Sequence, residues 1–286
     1  MSRGAVHCYR SDASTTILRD MIVAPPSLLK LVAIALISAV AGAVNSIAGG
    51  GTLLTFPALL GLGVPAISSN ATSTVALWPG SFASMWGYRR ELVGIEKWAA
   101  RLIGPSLVGG LVGAGLLLVT PEARFRALVP WLVFGATVLF ALQGPVMRWL
   151  RQRLAVSAGA APTASEPGPP PVGIMLSQFA VGIYGGYFGA GAGIVMLAVF
   201  GLLGLTNIHQ MNGLKNINGI CFNGVAAITF SVMGLVNWPI ALVMAIGSTV
   251  GGYTMSGLAQ RVPQSWIRAA VTLIGFGSAV WLFFSR

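Results

Sequence analysis

The chain has 286 residues, of which 55% are hydrophobic and only 8% are charged, and its mean hydropathy is +0.81. Soluble domains carry about 25% charged residues, so this composition excludes a soluble fold and leaves no room for a soluble catalytic domain. The net charge of +11 does not indicate nucleic acid, because the Lys and Arg residues stand singly or in pairs at the ends of apolar runs, as orientation signals do in a membrane.

Residues 1–27 read as an N-terminal tail. The first twenty lack an apolar core and are not a cleavable signal peptide, and Met21, just before the first apolar run, is a candidate start. The first transmembrane unit covers 28–143. It opens with an apolar stretch over 28–62 that is interrupted at Asn45 to Thr52 by NSIAGGGT, and continues with plain apolar runs over 66–88, 98–119 and 125–143. Residues 144–171 hold SAGAAPTASEPGPPP, the composition of a flexible linker. The second unit, 172–286, repeats the plan: a stretch over 172–204 interrupted by GGYFGAGAG (185–193), then runs over 210–233, 238–260 and 265–284. The expected fold is all-α, a polytopic transmembrane helical bundle of about eight helical segments.

Sliding the chain against itself by 142 positions supports two copies of one unit. Without gaps, Gly49 meets Gly191, Gly51 meets Gly193, Asn70 meets Asn212, Ser106 meets Ser248, and Phe134 and Gly135 meet Phe276 and Gly277. Duplicated halves with broken helices at matching positions are a feature of secondary transporters, whose breaks meet near the bilayer midplane. The segment from Arg89 to Arg101 carries four basic residues while its counterpart, Ser231 to Val243, carries none, which favours inverted halves. The basic segments near Arg124 to Arg126 and Arg261 to Arg268 weigh the other way.

An interior Gly weakens a helix by about 1 kcal/mol relative to Ala, so the glycines need a reason. One is an anion site: Asn45, Gly49, Gly50, Gly51 and Thr52 at the first break, and Tyr187, Gly189, Gly191 and Gly193 at the second, can present backbone N–H groups at the start of a half-helix. The other is close helix packing, which small residues permit. The acidic residues, Asp12, Asp20, Glu91, Glu96, Glu122 and Glu166, all fall in tails, loops or span edges, which argues against a cation substrate and against carboxylate-based proton or sodium coupling. Lys215 is the one clear charge inside a span, where insertion costs about 3 kcal/mol unless it faces protein or water. It either serves function or snorkels toward the headgroups.

Asn212, Lys215, Asn216, Gly219 and Asn223 share one helical face, and the first unit offers Ser69, Asn70, Thr72, Ser73 and Thr74 at the matching place. His209 is a solvated loop residue or a proton-linked group. Tyr184, Tyr187 and Trp78 lie near the breaks and could close a pocket. Cys8 and Cys221 suggest neither a disulfide nor a metal site, and the glycines at 49–51 are not followed by the GK[ST] of a nucleotide loop. No nucleophile or metal motif is present, so the expectation is a non-enzyme without cofactor or metal. Its partners are a small anionic substrate and the lipid bilayer, with no nucleic acid and no legible oligomeric state.

The stretches AGAVNSIAGGGTLLTFPALLGLGVP, SSNATSTVALWPGSFASMWGYRREL, GIYGGYFGAGAGIVML, MNGLKN and GLVNWPIALVMAIGSTVGGY resemble the sulfite exporter TauE/SafE family of membrane permeases over about 28–284. The resemblance implies a multi-pass permease of a bacterial inner membrane that moves sulfite, sulfonates, sulfoacetate, thiosulfate or related anions. Its motif falls on Gly49, Gly50, Gly51 and Pro57 in the first unit and on Gly189, Gly191 and Gly193 in the second. Ala190, Ala192 and Ala198 depart from it there, so the two breaks are not expected to contact substrate equally. The leading expectation is alternating access; an anion channel and a noncatalytic scaffold or sensor subunit are the competing ones.

Overall fold

The computed structural model describes residues 28–157, 170–202, 205, 207–258 and 264–284. Among them the chain forms ten α-helices and one 3-10 turn, Arg89–Leu92. In order the helices are α1 (Leu28–Ala48), α2 (Thr52–Gly61), α3 (Ala66–Tyr88), α4 (Glu96–Val119), α5 (Glu122–Ser157), α6 (Val172–Tyr187), α7 (Ala192–Leu202), α8 (Ile208–Val232), α9 (Trp238–Leu258) and α10 (Gln264–Phe284). The bundle is all-helical, as expected. Ten helices replace about eight because each interrupted stretch resolves into a long and a short helix. The N-terminal tail, 1–27, lies outside the described residues.

The two breaks have a local cause. Gly49 adopts φ +75° and Gly191 φ +79°, left-handed backbone that ends a helix and that L side chains avoid. Gly49 N–H still donates to Asn45 O (3.1 Å), closing the last turn of α1. At the second break, Gly189 has φ +79° as well, and the Tyr184 hydroxyl donates to Ala190 O at 2.6 Å, tying the turn to α6.

One expected boundary is corrected. Residues 144–157 were assigned to the linker, but α5 continues to Ser157. Its extension carries Arg148, Arg151 and Arg153 with Leu150 and Leu154, good helix formers that carry the helix through the end of the apolar run. Residues 158–169 of the linker lie outside the described residues.

Helix starts recur at one spacing: Ala66 and Ile208, Glu96 and Trp238, and Glu122 and Gln264 each stand 142 positions apart. Packing follows the same relation. α1 lies chiefly along α9 and α6 along α4, so the broken helix of each half docks on a helix of the other. Glycine makes both contacts possible: Gly42 and Gly251 bring α1 and α9 together, and Gly109, Gly113 and Gly186 do so for α4 and α6, with backbone where a Cβ would stand.

α3 and α8 pack on each other in the interior and run antiparallel. Gly213 near the start of α8 lies against Leu92 and Tyr88, just past the end of α3, and the Asn237 N–H, beyond the end of α8, donates to Thr72 Oγ1 near the start of α3 (3.0 Å). Trp78 Nε1–H donates to Ile220 O at 3.0 Å, and Phe134 packs edge-on to Phe276 at 5.8 Å. The members of each pair are 142 residues apart.

Among the described residues, three segments suffice by length and composition to cross a membrane: Leu28–Ser46, Glu96–Val119 and Glu122–Leu142. α3 and α8 are long but polar, with Ser69, Asn70, Thr72, Ser73, Lys215, Asn216 and Asn218 buried. Their neighbours are other helices, which is the environment such residues require in a bilayer.

Candidate functional site

Lys215 is buried, with 3% of its surface exposed. Its ammonium donates to Ser46 O at 3.1 Å and to Asn45 O at 3.4 Å, in the last turn of α1, where the helix dipole favours a cation. Lys215 therefore does not snorkel; it holds the end of the broken helix. At the other break Asn70 does the related job: its Nδ2–H donates to Tyr187 O, the last residue of α6, at 3.0 Å. Asn45 and Tyr187 are 142 residues apart, as are Lys215 and Ser73. One break end is thus capped by an ammonium and the other by a neutral amide.

Between the breaks lies a cavity of about 30 Å³. Three of its lining residues, Asn45, Gly49 and Ser81, come from the first half. Nine come from the second: Gly189, Ala192, Gly193 and Met196 on the second break and α7, and Lys215, Asn216, Gly219, Phe222 and Asn223 on α8. The two breaks meet backbone to backbone, since a Cβ on Gly49 would stand 2.8 Å from Gly193 Cα. In the first turn of α7, Ala192 N–H is taken by Gly189 O, and those of Ile194 and Val195 by Gly191 O. Gly193, which lines the cavity, carries the remaining N–H of that turn.

Asn216 Nδ2 is buried and has no hydrogen-bond partner among the described residues. A buried donor left unpaired costs about 1–3 kcal/mol, and this one belongs to a residue lining the cavity. With Lys215 the wall offers one positive charge and a vacant amide donor. Such a donor set suits an anion, and among the described residues no carboxylate lines the cavity.

Of the fifteen expected site residues, Asn45, Gly49, Gly189, Gly193, Lys215 and Asn216 line the cavity. The other nine stand elsewhere. A Cβ on Gly50 would meet the Phe140 ring and one on Gly51 would meet Ala41 O, so these glycines serve packing. Thr52 begins α2. Asn70 caps α6, Thr72 accepts from Asn237, and Ser73 hydrogen-bonds Thr55 through their hydroxyls. Tyr187 packs edge-on to Phe125 at 5.8 Å, Gly191 turns the backbone beside Ala136, and Asn212 is buried one turn before Lys215 and Asn216 on α8. Trp78 bonds α8 and Tyr184 ties its own break, as given above. The His209 side chain lies outside the described residues.

Ser81, Met196 and Phe222 were not anticipated. Ser81 could have been: it stands 142 positions before Asn223, already on the polar face of α8. A buried network of Ser106, Gln178 and Asn218 was also missed. Gln178 Nε2–H donates to Ser106 Oγ (2.9 Å), whose own hydroxyl lies 2.8 Å from Asn218 Oδ1, joining α6, α4 and α8 beside the cavity wall.

The chain is similar in sequence to known membrane transporters. The chain is 28% identical over 246 residues to "Probable membrane transporter protein YfcA" of Escherichia coli K12, covering 83% of this chain and 84% of that one. It is 28% identical over 251 residues to "Probable membrane transporter protein ORF9" of Sinorhizobium sp (85% and 88%). A "Probable membrane transporter protein" of Haemophilus influenzae is 28% identical over 241 residues (83% and 88%). No solved structure matches the chain. Residues 34–282 match the family described as Sulfite exporter TauE/SafE, and the chain belongs to that family of membrane transporters.

Proposed function

We propose that this transporter is a secondary permease of small sulfur-containing anions, of the sulfite, sulfonate, sulfoacetate or thiosulfate type, working by alternating access. The observation that carries the reading is the cavity between the two breaks, where Lys215 supplies charge and Asn216 Nδ2 has no partner among the described residues. Hydrogen bonds from charged donors to an oxyanion are about twice as strong as neutral ones. The empty donor on Asn216 and the Gly193 N–H would complete the cradle.

The cavity's 30 Å³ is room for about one or two water molecules and too small for the four heavy atoms of sulfite. In this reading substrate enters when the breaks part. Two inverted repeats would supply that movement: helix starts at a spacing of 142, antiparallel α3 and α8, and the exchanged docking of α1 and α6 support this arrangement. The end of the bundle bearing Arg89, Arg90, Lys97, Arg101 and Arg148 would face the cytoplasm, in the inner membrane of a bacterium.

Flux into proteoliposomes, compared for sulfite, sulfoacetate, taurine, thiosulfate and chloride, tests the reading. Saturable flux of a sulfur anion that is stimulated by the same anion on the opposite side is expected. Currents that rise without saturation would mean a channel, and preference for neutral solutes would overturn the anion site.

A further inference from the structure

We infer that a bilayer phospholipid docks between α1, α2, α5 and α10, with an acyl chain in an apolar groove and its phosphate at Arg126. The inference rests on the membrane placement of the family and is independent of the anion site.

Two adjoining depressions make the surface. One is an open groove of about 730 Å³ walled by Leu36, Val40, Pro57, Ile274 and Trp281, with Gly61 and Gly277 on its floor. The second is a cleft of about 440 Å³ that holds Pro65, Glu122, Arg126 and the other side of Trp281. Trp281 borders both, so the apolar groove runs directly into the polar cleft. Their order follows the helix ends. The cleft lies at the starts of α3 and α5 and near the end of α10, the level of the headgroups, whereas Leu36 and Val40 lie in the middle of α1. A Trp at the junction is in the position aromatic side chains take at a membrane interface.

Charge selects the headgroup. The Glu122 carboxylate is engaged in capping α3, accepting from Ala66 N–H at 2.6 Å and Ile67 N–H at 3.2 Å. Arg126, one turn along α5, is exposed and has no hydrogen bond or ion pair with any described residue. A guanidinium at headgroup level matches a phosphate in geometry and charge. A second copy of the chain fits less well, because with six acidic residues against seventeen basic ones it has little to offer Arg126.

The test uses the full-length protein stripped of lipid in detergent and then exposed to equal amounts of phosphatidylglycerol and a phosphate-free glycosyl diacylglycerol of the same chains, with bound lipid counted by native mass spectrometry. Wild type is expected to hold the phospholipid with about tenfold preference, the range of one charge-assisted contact. Arg126→Gln should abolish the preference and Arg126→Lys retain part of it. Gly277→Leu and Gly61→Leu add side chains where nothing stands within 4 Å, so they fold, fill the groove and release both lipids. Equal retention of both lipids by wild type, or an unchanged preference in Arg126→Gln, overturns the proposal. A dimer that Gly277→Leu dissociates with no change in bound lipid would also overturn it and assign the groove to a second copy.

Discussion

The two helix breaks share a plan and differ in chemistry. At the first, the end of α1 is held by the Lys215 ammonium; at the second, the end of α6 is held by the Asn70 amide. Gly49 presses on Gly193, while the same left-handed turn at Gly191 has its nearest atom, Ala136 O, 3.5 Å from a Cβ position. The cavity lies on the Lys215 side, with nine of its twelve lining residues from the second half. Two breaks built on a similar plan thus differ by a few side chains, and the cavity takes most of its wall from one of them.

Substituting both turns alike should break the likeness most. Gly49→Ala incurs about 1–2 kcal/mol for left-handed backbone and about 1–3 kcal/mol more for overpacking against Gly193. Gly191→Ala incurs only the first of these, so thermal denaturation in detergent should show clearly the larger loss for Gly49→Ala. Equal losses would mean that the backbone contact between the breaks is not tight.

The caps come next. Lys215→Met leaves Ser46 O without its donor, for a loss of about 1–3 kcal/mol, and removes the one charge among the described residues of the cavity wall, so flux should vanish. Asn45 O keeps its bond from Gly49 N–H. Asn70→Ala removes one neutral bond, worth about 1 kcal/mol, and should leave substrate affinity near wild type. An Asn70→Ala protein whose KM rises as far as that of an Asn216 variant would contradict the assignment of the site to the Lys215 side.

Asn216→Ala should have the smallest effect on stability. It deletes a buried donor that has no partner among the described residues, so the melting temperature should hold or rise, while KM rises by about tenfold or more for the lost bond to a charged ligand.

Much of this was legible in the sequence, for identifiable reasons. The glycine-rich stretches at 49–51 and 185–193 stand where the helices break, between α1 and α2 and between α6 and α7. The polar face of α8 was read from 3.6-residue periodicity, and Lys215, Asn216, Gly219 and Asn223 do share the cavity wall. The stripe on α3 stands away from this cavity: Asn70, Thr72 and Ser73 hydrogen-bond α6, the 235–237 segment and α2, partners that only the fold brings there. Gly50 and Gly51 show a second limit. Consecutive glycines suggest open N–H groups, but whether a ring or a carbonyl fills the space of a missing Cβ depends on Phe140 and Ala41, which only the fold brings there. The extension of α5 to Ser157 was hidden because the apolar pattern stops before the helix does.

The central claim is that the cavity between the breaks is where an anion is held. The most direct measurement is the KM for sulfite flux in proteoliposomes of wild type and Asn216→Ala, with melting temperatures taken on the same preparations. The account predicts saturable flux in both, a KM about tenfold or more higher in the variant, and no loss of thermal stability. An unchanged KM in a stably folded Asn216→Ala protein would contradict it.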